Sequence, residues 1–185
     1  MKVRRVITAC NDAGKSVFWS IDHAPRTHDY VHIPGMSNTQ VWATAPVPSL
    51  TASIADDATT ERNVLPPPGG TRLMFVEFPP DSVVQSPQFD GRAAGLEDLQ
   101  VLPGLAERFE ADNPSMHRTD TIDYGIVLRG EIWLELDDGQ MQHLKQHDVV
   151  VQHGTRHAWR NKSQQITLMV FVLIGARRDA PGDNP

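Results

Sequence analysis

The sequence predicts an all-β protein, a small barrel or a double-sheet sandwich. Short runs rich in β-branched and aromatic residues recur along the chain, separated by Gly, Pro, Asn and Asp turn signals. Only one stretch reads as helix. In HRTDTID, residues 117–123, the side chains of His117, Thr119, Thr121 and Asp123 fall at alternate positions. Side chains two apart on a strand point the same way, so one face carries four polar groups. That face either meets water or lines a site.

Taken in order, VRRVITACNDAGKSVFWSID reads as two strands about a turn at residues 11–14. HAPRTHDYVHIPGMSNT reads as an irregular polar connection holding His28 and His32, and TQVWATAPV (39–47) as a strand. Residues 48–70 end in PPPGG, which neither a helix nor a central strand tolerates. TRLMFVEF (71–78) is a short strand stopped by Pro79-Pro80. Within residues 81–114 the helix is expected at 103–111, with Pro103 in its first turn and Asn113-Pro114 at its end. This irregular insertion runs directly into His117 and suggests a lid. Its acids Glu97, Asp98, Glu107 and Glu110 are expected to be solvated.

From Met116 the pattern is β throughout. GIVLRGEIWLEL and QMQHLKQ flank Asp138-Gly139, a strong hairpin signal, and DVVVQH, HAWRN and QITLMVFVLIGA complete the series. Strand parity turns Tyr124 away from Asp123, and Trp133 away from Ile132 and Leu134. Trp159 is expected in the barrel wall, and His143 and His147 on an exposed hairpin. ARRDAPGDNP, residues 176–185, reads as a disordered polar tail.

Composition narrows the partners. The 185 residues, 39% hydrophobic and 22% charged, suit one domain with a packed core. A net charge of −6 and the lack of a Lys/Arg cluster argue against nucleic acid. No apolar segment follows the basic start as a secretory signal would, and ITLMVFVLIGA is too short to span a bilayer. A single cysteine, Cys10, allows no internal disulfide and fits a reducing cytoplasm. Cys10 itself reads as a small strand residue. Zinc-finger, H-E-x-x-H, Walker, Rossmann and G-x-S-x-G spacings are all missing.

Two stretches, HRTDTIDYGIVLRG (117–130) and HDVVVQHGTRHAWRN (147–161), together resemble the paired motifs of the cupin superfamily. His117, Thr119, Asp123 and Gly130 stand at the H, H, E and G of the first motif; Gly154, His157 and Asn161 stand at the last G, H and N of the second. Four departures accompany the match. Thr119 replaces a histidine, Asp123 a glutamate, and Ala111 and His147 the opening glycines. The QHG turn also lacks the motif's proline and is one residue short.

The resemblance, over residues 71–175, implies a double-stranded β-helix, or jelly-roll, barrel. Residues 1–70 would pack on it as N-terminal strands and loops or form a dimer interface. It implies a homodimer and a small-molecule enzyme whose barrel holds a divalent transition metal (Fe, Mn, Zn or Ni). The ligands carried over are His117, Asp123 and His157, a set suited to oxidation or decarboxylation of a small carbonyl or aromatic compound. Thr119, Thr121 and His153 are expected to line the substrate pocket. Without metal, Asp123 becomes the catalytic base of an isomerase or cyclase, or the cluster simply hydrogen-bonds within a ligand-binding module.

Overall fold

The computed structural model describes residues 1–50, 54 and 56–179. Its strands are β1 (Arg4–Cys10), β2 (Ser16–His23), β3 (Arg26–Asp29), β4 (Ser37–Thr44), β5 (Thr71–Phe78), β6 (Thr121–Arg129), β7 (Glu131–Glu135), β8 (Met141–Lys145), β9 (Val149–His153), β10 (Ala158–Arg160) and β11 (Thr167–Gly175). Two helices interrupt them, the single turn α1 (Asp57–Thr60) and α2 (Gly91–Val101). A six-stranded antiparallel sheet runs β3-β4-β5-β11-β6-β9, and a three-stranded one runs β10-β7-β8. The result is the all-β barrel that the turn spacing predicts, in the jelly-roll form that the resemblance implies.

Alternation decides what the sheets enclose. On β6, Thr121, Asp123, Gly125 and Val127 are buried and Tyr124 is exposed, as parity requires. Val127, Ile132, Leu134, Leu144 and Met169 form a core fed by both sheets. Trp133, between two of these, faces the other way and stacks on His143 with ring centroids 4.2 Å apart. A second core joins Val64, Met74, Leu102 and Leu173, with Leu105 and Phe109 packed against it. The residues just after α2 therefore close one end of the barrel.

Three expectations need correcting. The helix lies at Gly91–Val101, with only a 3₁₀ turn at Ala106–Arg108. Asp90 caps its start by accepting from the Ala93 amide at 2.9 Å, and a residue before proline avoids the helical region, so Leu102 ends it ahead of Pro103. The supposedly irregular segment after His23 contains β3. Because β4 pairs with β5 and β3 with β4, the N-terminal segment extends the barrel's sheet, and residue 71 is no structural boundary. The β1–β2 hairpin forms as expected and is pinned by the buried Arg5, which donates to Asp22 at 2.8 Å, Asp56 at 2.7 Å and the Val41 carbonyl at 3.0 Å. Of the expected disordered tail, residues 180–185 lie outside the described residues.

The motif glycines serve the backbone. Gly130 turns β6 into β7 at φ 83°, and a Cβ there would lie 2.8 Å from the Thr167 hydroxyl. His147 keeps the left-handed conformation of the glycine it replaces, at φ 76°, and its amide donates to the Val127 carbonyl at 2.9 Å. A side chain in that region costs about 1–2 kcal/mol. His147→Gly should raise stability by roughly 0.5–1 kcal/mol after the unfolded-chain entropy of glycine is offset. Urea denaturation should show a higher midpoint with an unchanged slope.

Candidate active site

His117 and His157 meet through their backbones. Each amide donates to the other's carbonyl, at 3.0 and 2.9 Å, in an isolated antiparallel bridge. In such a pair both side chains leave the same face, and the two imidazole centroids lie 4.3 Å apart. The same device fixes both rings. His117 Nδ1 sits 2.9 Å from the Ser115 carbonyl and His157 Nδ1 sits 3.0 Å from the Thr155 carbonyl. A carbonyl only accepts, so Nδ1 carries the proton and Nε2 keeps a free lone pair on each ring. Both are buried and line one cavity.

That cavity measures about 350 Å³, within the range of small-molecule sites. Its wall is mainly apolar: Met74, Phe78, Leu102, Phe109, Phe171 and Leu173 contribute. Trp159 is both wall and lining, packed edge-on to Phe171 at 5.5 Å and to His157 at 6.0 Å. Asp123 reaches the cavity from β6, and Thr119 from the segment between His117 and that strand. Thr121 stands behind them, its hydroxyl 2.8 Å from that of Thr119. All four polar residues of the alternating run are buried, and three of them, His117, Thr119 and Asp123, line the cavity.

Burial sets the protonation states. The Asp123 carboxyl is pushed up to about 6, chiefly by desolvation, with the Thr121 hydroxyl pulling the other way. One of its oxygens, Oδ1, is buried without a hydrogen-bond partner. His117 is lowered from its ordinary value by burial. His157 falls to about 4, through burial and then through the neighbouring His117. Both imidazoles are thus neutral at pH 7.

His153 is a correction. It is exposed, because Asp123 pairs with Gln152 across β6 and β9 and it is Gln152 that turns inward. The acids of the insertion are not simply solvated either. Glu97 is buried, and its carboxylate accepts from the Val31 and His32 amides, both at 2.8 Å, and contacts His28 Nε2 at 2.7 Å. Asp98 lines the cavity. Glu110 pairs with Arg156 at 2.6 Å, fixing the approach to His117. Sequence reasoning missed Asp98 and Gln152. For Gln152, its register opposite Asp123 was the available signal.

A divalent metal is the group that the fold implies. Two features suit one: free Nε2 atoms on a close histidine pair, and an unpartnered buried carboxylate oxygen. The third donor fails to join them. Among the described residues no three His, Cys, Asp or Glu side chains converge as a metal requires. Thr119, at the missing histidine's position, spends its hydroxyl on Thr121. The expected His117–Asp123–His157 set is therefore a histidine pair with a separate carboxyl in the same cavity, and it does not fit a three-donor centre.

The chain matches no family model. It is 29% identical to the cupin-domain-containing oxidoreductase srdD of Neurospora crassa over 192 residues, covering 98% of this chain and 81% of that protein. The chain carries a cupin barrel. A shorter match, 56% identical over 63 residues, links the chain to the phomopsin biosynthesis cluster protein C' of Diaporthe leptostromiformis, covering 34% of this chain and 33% of that protein. The oryzines biosynthesis cluster protein J of Aspergillus oryzae is 42% identical over 65 residues, 35% of this chain and 36% of that one. In both of these the matched segment is about a third of the relative's length. Among the described residues no helix is long and apolar enough to cross a membrane.

Raising the Asp123 pKa has a stability consequence. The fold disfavours the ionised form, so stability is lost as pH rises from about 4 to about 6 and stays lower above that. Asp123→Asn should therefore stabilise the protein by ~1–3 kcal/mol at pH 7. The gain should vanish below about pH 4, as thermal melts across pH will read.

Proposed function

We propose that this cupin is a small-molecule enzyme that moves protons on a largely apolar carbonyl compound, using His117 as base. The observation that carries this reading is the pair of buried imidazoles whose Nδ1 atoms are both held by carbonyls, leaving two lone pairs aimed at an apolar cavity. Of the two, His157 at about 4 is the poorer base. His157 accepts a hydrogen bond and orients; His117 takes the proton. Asp123, raised to about 6, is a second group in the same cavity able to carry a proton. The wall formed by Phe109, Phe171 and Trp159 keeps water away and strengthens these charges. Enolisation followed by isomerisation or ring closure is the reaction class that these groups serve.

The relatives' names favour a second reading, an oxidoreductase, for which the fold's implied divalent metal would supply the redox centre. One probe separates the two. In D2O, 1-phenylbutane-1,3-dione should exchange its acidic C–H protons faster with the enzyme than without it. His117→Ala should lose roughly 100-fold of that acceleration or more. The rate should fall as pH drops through the lowered pKa of His117, and chelator should change nothing. Exchange that is absent from the wild type, or that a chelator abolishes and Fe(II) or Zn(II) restores, would overturn the proton-transfer reading. Metal analysis of purified protein gives the companion result: well under one ion per chain in the wild type, and a clear gain in Thr119→His, which supplies a third imidazole.

The homodimer is likewise a proposal. Val6, Phe18, Trp19 and Ile21 of the β1–β2 hairpin are exposed, Phe18 by 71%, and apolar groups of this kind suit a second copy of the chain. Light scattering should report a dimer for the wild type and a monomer for Phe18→Glu.

A further inference from the structure

The cavity has a second polar pole. Asp98 enters it from α2, whereas Asp123 enters from β6, and His117, Thr119 and His157 from the segments just before β6 and β10. A carboxylate on the outer turn of an insertion would ordinarily meet water. Asp98 is instead half-buried, and desolvation pushes its carboxyl up to about 6.

Its position is held from the next residue. Glu97 binds the amides of Val31 and His32 and contacts His28, which fastens α2 to the loop between β3 and β4. That loop supplies Ile33 and Met36 to the same cavity. Beside it, Tyr30 is 6% exposed and its hydroxyl neighbours the Asp98 carboxylate, with which it interacts. Asp98 contributes, after burial, to keeping that phenol protonated. A carboxylate backed by a buried phenol thus stands in the wall of the largely apolar chamber that also carries the imidazoles.

We propose that Asp98 is a specificity-determining residue, accepting a hydrogen bond from a hydroxyl group that the substrate carries away from its reacting carbonyl. The substrate class is then an apolar carbonyl compound with a second, distal hydroxyl, an inference that rests on the carbonyl reading above. A neutral hydroxyl fits better than an ammonium. Burying a cation costs more than burying a neutral donor, and the rest of the wall is largely apolar. Asp98 does not touch the reacting atoms in this arrangement; it selects and orients.

The test is a matched series read by binding, independent of turnover. The parent is 1-phenylbutane-1,3-dione; its partners carry a hydroxyl, hydroxymethyl or 2-hydroxyethyl group at the para position of the ring. Quenching of tryptophan fluorescence reports occupancy, since Trp159 lines the cavity. At least one hydroxylated member should bind wild type about tenfold or more tighter than the parent, the scale of a hydrogen bond to a charged group. Asp98→Ala should erase that advantage while binding the parent within about twofold of wild type. Asp98→Asn, which keeps an acceptor without the charge, should fall between. No advantage for any member, no binding by any, or an advantage that survives Asp98→Ala overturns the assignment. Failure of proton exchange with intact discrimination would overturn only the proposed reaction.

Discussion

The backbone bridge between His117 and His157 is the constraint on which the site depends. The two residues come from segments forty positions apart, and reciprocal amide–carbonyl bonds set them side by side. Main-chain geometry then dictates that both rings project into the barrel. Their own i−2 carbonyls fix the tautomers. Nothing in this arrangement needs a side-chain partner.

The neighbouring positions explain the chemistry. A three-donor centre needs side chains that reach one point, and here Thr119 bonds to Thr121 while Asp123 stands without them. What remains is an environment that penalises charge. His117, Asp123 and His157 are each shifted toward the neutral form, by burial first. The fold pays for that in stability, in return for uncharged groups inside an apolar cavity.

Much of this was legible in the chain. Turn chemistry located most strands, and β5 coincides with TRLMFVEF residue for residue. Alternation identified the inward polar face of the His117 strand. Where reasoning went astray, local pattern lost to context. Pro103 looked like a helix start, yet it terminates a helix whose cap, Asp90, was overlooked. His153 was judged by its distance from His157 and not by its register against Ile122. Glu97 and Asp98 were read as solvent-facing because no short-range pattern announces that the segment around Tyr30 folds down over them.

Fastening the roof through Glu97 bears on traffic. Two amides and an imidazole share one buried carboxylate, so the loop at Val31 and His32 cannot swing aside without stranding a charge among apolar neighbours. A ligand entering past this loop would require those three contacts to open first, which would slow capture and release together.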